Sequence, residues 1–225
     1  MTRKDFLSAV LSPDGWYCVV GLKKTGLPKQ IFVQGLDEVD GVVDDLMAKH
    51  FDVYFACAKY ETNKSRTADN VKSVKSLWLD IDCGEGKPYA TQGDGLDALK
   101  AFCNAVGLPK PCIVNSGRGV HVYWPLTEAV DADEWKVVAE QFKALCNLHA
   151  FEIDTSVPSD KARVLRVPNT LNFKDNPPTP VVFLGEPSKP MTFEAFKALM
   201  GEIPVTAKNF VPRVMDDVTN ALAGS

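Results

Sequence analysis

The sequence predicts an α/β or α+β protein, a β-sheet carrying helices on one face. Three observations lead there. Strand-like and helix-like apolar patterns alternate along the chain, and adjacent strand-like runs fall into hairpin-like pairs. The 225 residues, 45% hydrophobic and 24% charged, suffice for one large domain or two intimately packed lobes. The same composition excludes a disordered tail, a collagen-like fibre and a disulfide scaffold.

Residues 15–22, GWYCVVGL, and 29–36, KQIFVQGL, read as strands flanking the turn-like run Lys24-Thr25-Gly26-Leu27-Pro28. The acidic stretch LDEVDGVVDDLMAKH follows, with Val39, Val42, Val43, Leu46 and Met47 at the spacing of an amphipathic helix. A β-rich run, DVYFACAKY, completes a small ββαβ module. Residues 61–75 lose the apolar pattern and carry Lys64, Arg66, Lys72 and Lys75 against Glu61 and Asp69, the composition of a polar connector with a local basic surplus.

From residue 76 the order is strand (SLWLDID), helix (GLDALKAFCNAVGL), paired strands (PCIVNS and GVHVYWPL) and a long helix, DADEWKVVAEQFKALCNLH, capped by Asp131. A strand, FEID, leads into SVPSDKARVLRVPNTLNFK and a last strand, TPVVFLG. The end of the chain supplies one more helix and then reads as a linker. These features divide the chain into a lobe over 1–70, a second over 71–200 and a tail over 201–225.

A net charge of −4 argues against a protein that coats nucleic acid through its whole surface. It is compatible with an acidic metal site and a local basic groove that cancel in the sum. The six cysteines, at 18, 57, 83, 103, 112 and 146, form no C-x-x-C pair, so no zinc element is expected and the thiols read as reduced and mostly buried. The N-terminal apolar stretch is too short for a signal peptide and no window approaches 18 apolar residues. A cytoplasmic protein without a membrane span is the expectation.

Three segments carry chemistry. In LWLDIDCGEG, strand alternation turns Leu77, Leu79 and Ile81 one way and Trp78, Asp80 and Asp82 the other. Two carboxylates about 7 Å apart on an otherwise apolar strand are costly unless a cation lies between them, and hard divalent cations prefer carboxylate oxygen. In IVNSGRGVHVYW, the turn Ser116-Gly117-Arg118-Gly119 offers backbone N–H groups and a guanidinium to a phosphate. His121 then shares a strand face with Tyr123 and can donate to a triphosphate oxygen. In FEIDTSVPSDKARVLRVPNTLNFK, Asp154 ends a predicted strand as a third carboxylate, and Arg163, Arg166 and Lys174 supply cations for phosphates.

These segments, in this order, resemble the three motifs of the archaeo-eukaryotic primase superfamily, in the compact form carried by phages and plasmids. Its h-D-h-D strand is matched by Leu79-Asp80-Ile81-Asp82, and its S-G-x-G-x-H turn by Ser116, Gly117, Gly119 and His121. Its third acid is matched by Asp154, and its R-x-P-G-T-x-N-x-K signature by Arg166 to Lys174, with Asn169 in place of glycine. The resemblance is strong over about 76–185 and holds only in outline before it.

The resemblance implies a two-lobed primase-polymerase core, an N-terminal α/β module joined to an RRM-like sheet with flanking helices. It implies Asp80, Asp82 and Asp154 as catalytic ligands of two Mg²⁺ or Mn²⁺ ions. Ser116, Gly117, Arg118, Gly119 and His121 would hold the triphosphate, and Arg166, Asn172 and Lys174 would contact phosphates or the template. Lys64, Arg66, Lys161 and Arg163 are the expected DNA contacts. Substrates would be NTPs or dNTPs on a single-stranded DNA template, and a helicase, separate or fused beyond Ser225, is an expected partner.

Three other readings are weaker. A D-x-D-x-[TV] phosphohydrolase requires Thr or Val where Gly84 stands, and its nucleophilic strand normally opens the domain. A non-catalytic replication-initiator module would not need all three acids. A rolling-circle nuclease would need an H-x-H pair, which His50, His121 and His149 do not form.

Overall fold

In the computed structural model, which describes residues 1–185 and 188–201, the first element is a helix that was not among the expected elements. Helix α1, Arg3–Val10, is closed by a reciprocal capping box between Thr2 and Asp5 and buries Phe6, Leu7 and Val10. The expected ββαβ module follows as β1 (Tyr17–Leu22), β2 (Lys29–Val33), α2 (Leu36–Ala48) and β3 (Asp52–Ala56). Val39, Val43 and Leu46 form the buried stripe of α2. The DVYFACAKY run breaks at Cys57, so that β4 (Ala58–Tyr60) is a separate strand.

The polar connector is shorter than expected. Only residues 61–70 lie outside strands, and β5 runs from Val71 to Ile81, with Val71, Ser73, Val74 and Ser76 buried and Lys72 exposed. Helix α3 (Gln92–Val106) carries a second capping box, from Thr91 and Asp94, and ends at Gly107 in a left-handed conformation. Strands β6 (Cys112–Asn115) and β7 (Val120–Asp131) form the expected hairpin, and Asp131 caps α4 (Ala132–Leu148) through the N–H groups of Asp133 and Glu134. Two short strands, β8 (Val164–Arg166) and β9 (Thr170–Asn172), precede β10 (Thr179–Leu184) and α5 (Phe193–Met200).

The strands form two antiparallel sheets, one ordered β2-β1-β3-β8 and the other β4-β5-β7-β6-β10-β9. The chain passes from the small sheet to the large one twice, between β3 and β4 and between β8 and β9. Phe6 fills the junction, with its ring 5.7 Å from that of Phe55, 5.0 Å from Tyr123 and 5.3 Å from Phe183. Trp124, the neighbour of Tyr123 on the opposite face of β7, packs on Phe142 of α4 and Phe196 of α5. Helices therefore cover both faces of the large sheet, where the sequence pattern suggested one. Hydrophobic periodicity locates a helix but does not say which side of a sheet it joins.

The FEID segment is not a strand. Phe151 and Ile153 are buried and Glu152 is exposed, as alternation requires, yet the segment pairs with no strand ladder. A single bond, from Asp154 N–H to the Asp80 carbonyl at 2.9 Å, holds its end against β5. All six cysteines are free and buried. No helix among the described residues is long and apolar enough to cross a membrane. Most of the expected tail, residues 202–225, lies outside the described residues.

Candidate active site

The end of β5, the turn between β6 and β7, and the segment from β8 to just past β9 meet at a cleft of about 230 Å³. Its lining includes Asp80, Asp82, Ser116, Arg118, Gly119, His121, Arg166, Asn172 and Lys174. Nine expected residues, drawn from three distant segments, thus converge on one cavity. Gly117 lies within the same turn. Asp154 adjoins through its backbone bond to Asp80 rather than lining the cleft.

Register explains the convergence on the acidic side. Asp80 of β5 stands opposite His121 of β7, which puts the imidazole Nε2 3.8 Å from the Asp80 carboxylate. Burial raises the Asp80 carboxyl to a pKa of about 7, and the nearby Asp82 and Asp154 charges push it the same way. Asp82 is paired with Lys87 at 2.7 Å. The Asp154 carboxyl is held below its usual range, against its own burial, by hydrogen bonds from the Ser156 hydroxyl and N–H.

Among the described residues no three or more acids, histidines or cysteines gather tightly enough to enclose an ion. The donor chemistry nevertheless suits a hard divalent cation. Burial first, and the neighbouring Asp82 and Asp154 charges second, disfavour the Asp80 carboxylate, and a bound cation would offset both. Asp80, Asp82 and Asp154 are the residues that would hold it.

Contrary to expectation, the Ser116–Gly119 turn spends most of its backbone donors within the protein, Ser116 N–H on the Gly119 carbonyl and the Gly117 and Gly119 N–H groups on side-chain oxygens. In the Ser116–Gly119 turn, Ser116 Oγ accepts from Gly119 N–H at 3.2 Å, and Gly117 sits at φ 97°. A β-carbon on Gly119 would lie 2.5 Å from the Ile81 carbonyl oxygen, and one on Gly117 would lie 2.5 Å from Thr179 Oγ1. Both glycines are therefore required by close approach, the first to the acidic strand itself. Asn115 Oδ1 accepts from Gly117 N–H, and Gln92 braces both Asn115 and the Gly119 carbonyl.

His121 is buried and its pKa falls to about 3, through desolvation first and the Arg166 charge second. It is neutral at physiological pH, and its Nδ1 has no partner. Arg166 is likewise buried, and its Nη2 has no partner. Its Nη1 donates to Asp52 at 2.8 Å, and its guanidinium lies 4.8 Å from the centre of the Tyr54 ring. Both residues line the cleft, and each keeps one buried nitrogen to which the protein supplies no acceptor.

Asn172 is committed within the protein: its Nδ2 donates to the Ser116 carbonyl at 3.0 Å and its Oδ1 accepts from Lys174 N–H. It fastens the third segment to the phosphate turn. Arg118 pairs with Asp175, Nε to Oδ1 at 2.9 Å. Of the expected DNA contacts, Lys64 is exposed, whereas Lys161 is paired with Asp133 at 2.6 Å. Arg163 is engaged by Asp160 and the Ser156 carbonyl, and Arg66 by the Ala162 carbonyl. Trp78 stacks on Trp135 and donates to the Val157 carbonyl, so it packs under α4 and does not line the cleft.

Sequence reading missed Asp52, Tyr54, Lys87, Gln92 and Asn115. Asp52 and Tyr54 alternate on β3, and Tyr54 lies opposite Arg166, but only the β3–β8 pairing brings them to the site. The one available signal was Asp52 itself, an acid opening an otherwise apolar run.

No protein-family model and no curated protein sequence matches the chain. Solved structures do. The AEP domain of the cyanophage S-2L primase-polymerase superposes with a TM-score of 0.61 at 14% identity, covering 82% of this chain and 88% of that one. A structure of primase RepB′ gives 0.56 at 15% identity, covering 88% of this chain but 58% of its own. The catalytic domain of primase RepB′ in complex with initiator DNA gives 0.53 at 16% identity, covering 83% and 84%. At such identities the likeness is one of fold, and the chain has the fold of an archaeo-eukaryotic-type primase-polymerase catalytic domain.

Proposed function

We propose that this chain is a nucleotidyltransferase that makes short primers, and extends them, on single-stranded DNA. The observation that carries the reading is the polarity of one small cleft. Asp80 and Asp82 share its lining with Ser116, Arg118, His121, Arg166 and Lys174. Carboxylates set beside neutral and cationic donors are what a metal-bound triphosphate requires. A volume of about 230 Å³, below the roughly 300–1,000 Å³ of a drug-sized ligand pocket, suits the phosphate end of a nucleotide, with the base and sugar on the open side.

In this reading Gly119 and Ser116 shape the turn that borders the phosphates, neutral His121 donates from Nδ1, and Arg166 donates from Nη2. Asp52 fixes the Arg166 guanidinium, while Asn172 fixes the turn. Asp80, Asp82 and Asp154 would hold Mg²⁺ or Mn²⁺, which when bound acidifies the attacking hydroxyl and neutralises charge developing on the phosphoryl group. Lys87 then exchanges its ion pair with Asp82 for one with the incoming phosphates. Replication of a phage or plasmid genome, beside a helicase, is the setting in which such a primer is consumed.

The test is incorporation of labelled nucleotide on unprimed circular single-stranded DNA with Mg²⁺ or Mn²⁺. Wild type is expected to give product, and Asp80→Asn with Asp82→Asn to lose at least a hundredfold of it while staying folded. A wild-type chain that binds the DNA and never forms product would instead be a replication-initiator module.

A further inference from the structure

A second cavity, of about 560 Å³, lies behind the cleft, with Lys23, Lys24, His50, Asp52, Phe173 and Asp175 in its lining. The two spaces share one wall. Phe173 and Asp175 face the outer cavity while Lys174 between them faces the cleft, and Asp52 lines the outer cavity while binding Arg166 of the cleft.

The chemistry of this cavity differs from that of the cleft. Its acids are already neutralised, Asp52 by Arg166 and Asp175 by Arg118. Its lysines are not: neither Lys23 nor Lys24 enters an ion pair among the described residues, and both are exposed. Lys23 Nζ lies 4.3 Å from the centre of the Phe51 ring, a position held by the ring face rather than by an acid. The rings of His50 and Phe173 stand 5.4 Å apart at 45°, both on the cavity wall. A flat apolar group can stack there while an anion meets the ammonium groups.

Beyond the reading of the cleft, and resting on it, we propose that this outer cavity binds an unpaired base of the template strand, with the adjoining phosphate on Lys23 and Lys24. A free nucleoside triphosphate fits less well. It travels with a divalent cation, and every carboxylate in the cavity lining is already paired with an arginine. A phosphodiester carries one charge per nucleotide and needs no metal. The site also supplies uncompensated cations next to the cleft, where Lys161, Arg163 and Arg66 are engaged by protein groups.

The experiment uses the full chain and a fluorescein-labelled 20-nucleotide oligodeoxythymidylate, with affinity read by anisotropy across a KCl series. Lys23→Ala with Lys24→Ala, both on an exposed turn, should weaken binding at least fivefold and make the slope of log K against log salt shallower by about 0.7, the value for one phosphate neutralised on a single strand. Binding of a fluorescent dNTP with Mn²⁺ and no DNA should not change. In the unsubstituted protein, an oligonucleotide carrying 5-iodouracil should photocrosslink to peptides containing His50 or Phe173. Unchanged affinity and slope, or crosslinks mapping elsewhere, would overturn the proposal, as would loss of dNTP binding with oligonucleotide binding intact. If wild type binds the oligonucleotide at this site yet incorporates nothing, the nucleotidyl-transfer reading fails and the cavity stands. If wild type incorporates nucleotide and the lysine variant binds DNA like wild type, only the cavity proposal fails.

Discussion

Removing the Asp52 carboxylate is expected to damage the molecule more than its distance from the metal-binding acids suggests. Asp52 Oδ1 accepts two hydrogen bonds, from Arg166 Nη1 and from Phe173 N–H, each 2.8 Å long. The Asp52 and Arg166 side chains are only 8% and 5% exposed, so water compensates little for a lost partner. Arg166 Nη2 has no partner even in the intact protein. Asp52→Ala therefore leaves a buried guanidinium without its counter-charge, which costs about 3–5 kcal/mol. In a domain of this size each kcal/mol lowers Tm by roughly 2–4 °C, so a fall of about 6–20 °C is expected in thermal unfolding followed by circular dichroism. Asp52→Asn keeps an acceptor for Phe173 and should lose less. The decisive comparison adds Arg166→Met. If the penalty is an unpaired buried charge, Asp52→Ala with Arg166→Met will be more stable than Asp52→Ala alone. Additive losses, or a Tm shift below about 2 °C for Asp52→Ala, would refute the reasoning.

Two other perturbations test the walls of the cleft. Gly119→Ala must push the turn away from the Ile81 carbonyl, since the new β-carbon would start 2.5 Å from it. A stability loss of about 1–3 kcal/mol by overpacking is expected, with nucleotide affinity falling further than Tm alone explains; wild-type affinity would rule out a role for the turn. Asp80 has a folded pKa of about 7 against an ordinary 3.8, so its stabilising contribution is fully present below pH 4 and is lost as pH rises through 7. Without divalent metal, Asp80→Asn should therefore stabilise the protein at pH 8, on the order of 4 kcal/mol, and the gain should vanish toward pH 4. Equal unfolding midpoints for wild type and variant at pH 8 would show that the carboxyl carries no such strain.

Much of the acidic strand was legible because its signal is local. Strand alternation in LWLDID puts Asp80 and Asp82 on one face, and hydrophobic burial of Leu77, Leu79 and Ile81 fixes that face without help from the rest of the chain. The Ser116–Gly119 turn was legible for a similar reason, because glycines at that spacing report a backbone shape. Asp154 was expected at the end of a strand and is held instead by one backbone bond to Asp80, since four alternating residues cannot distinguish a paired strand from an extended segment. Helix α1 escaped because eight residues carry too little periodicity, although the Thr2/Asp5 capping box was present in the sequence. Asp52 and Tyr54 escaped because their roles depend on a strand 110 or more residues away.

By itself, the sequence determined which side chains could do chemistry and on which face of each element they lie, because periodicity and turn geometry are properties of neighbouring residues. Only the tertiary structure decided which cations are available. Lys161 and Arg163, expected as DNA contacts, are paired with Asp133 and Asp160, whereas neither Lys23 nor Lys24 meets an acid among the described residues. The reason is physical. The charge of a side chain is fixed by its own chemistry, but whether that charge is already neutralised depends on distances of a few ångströms between residues that only folding brings together.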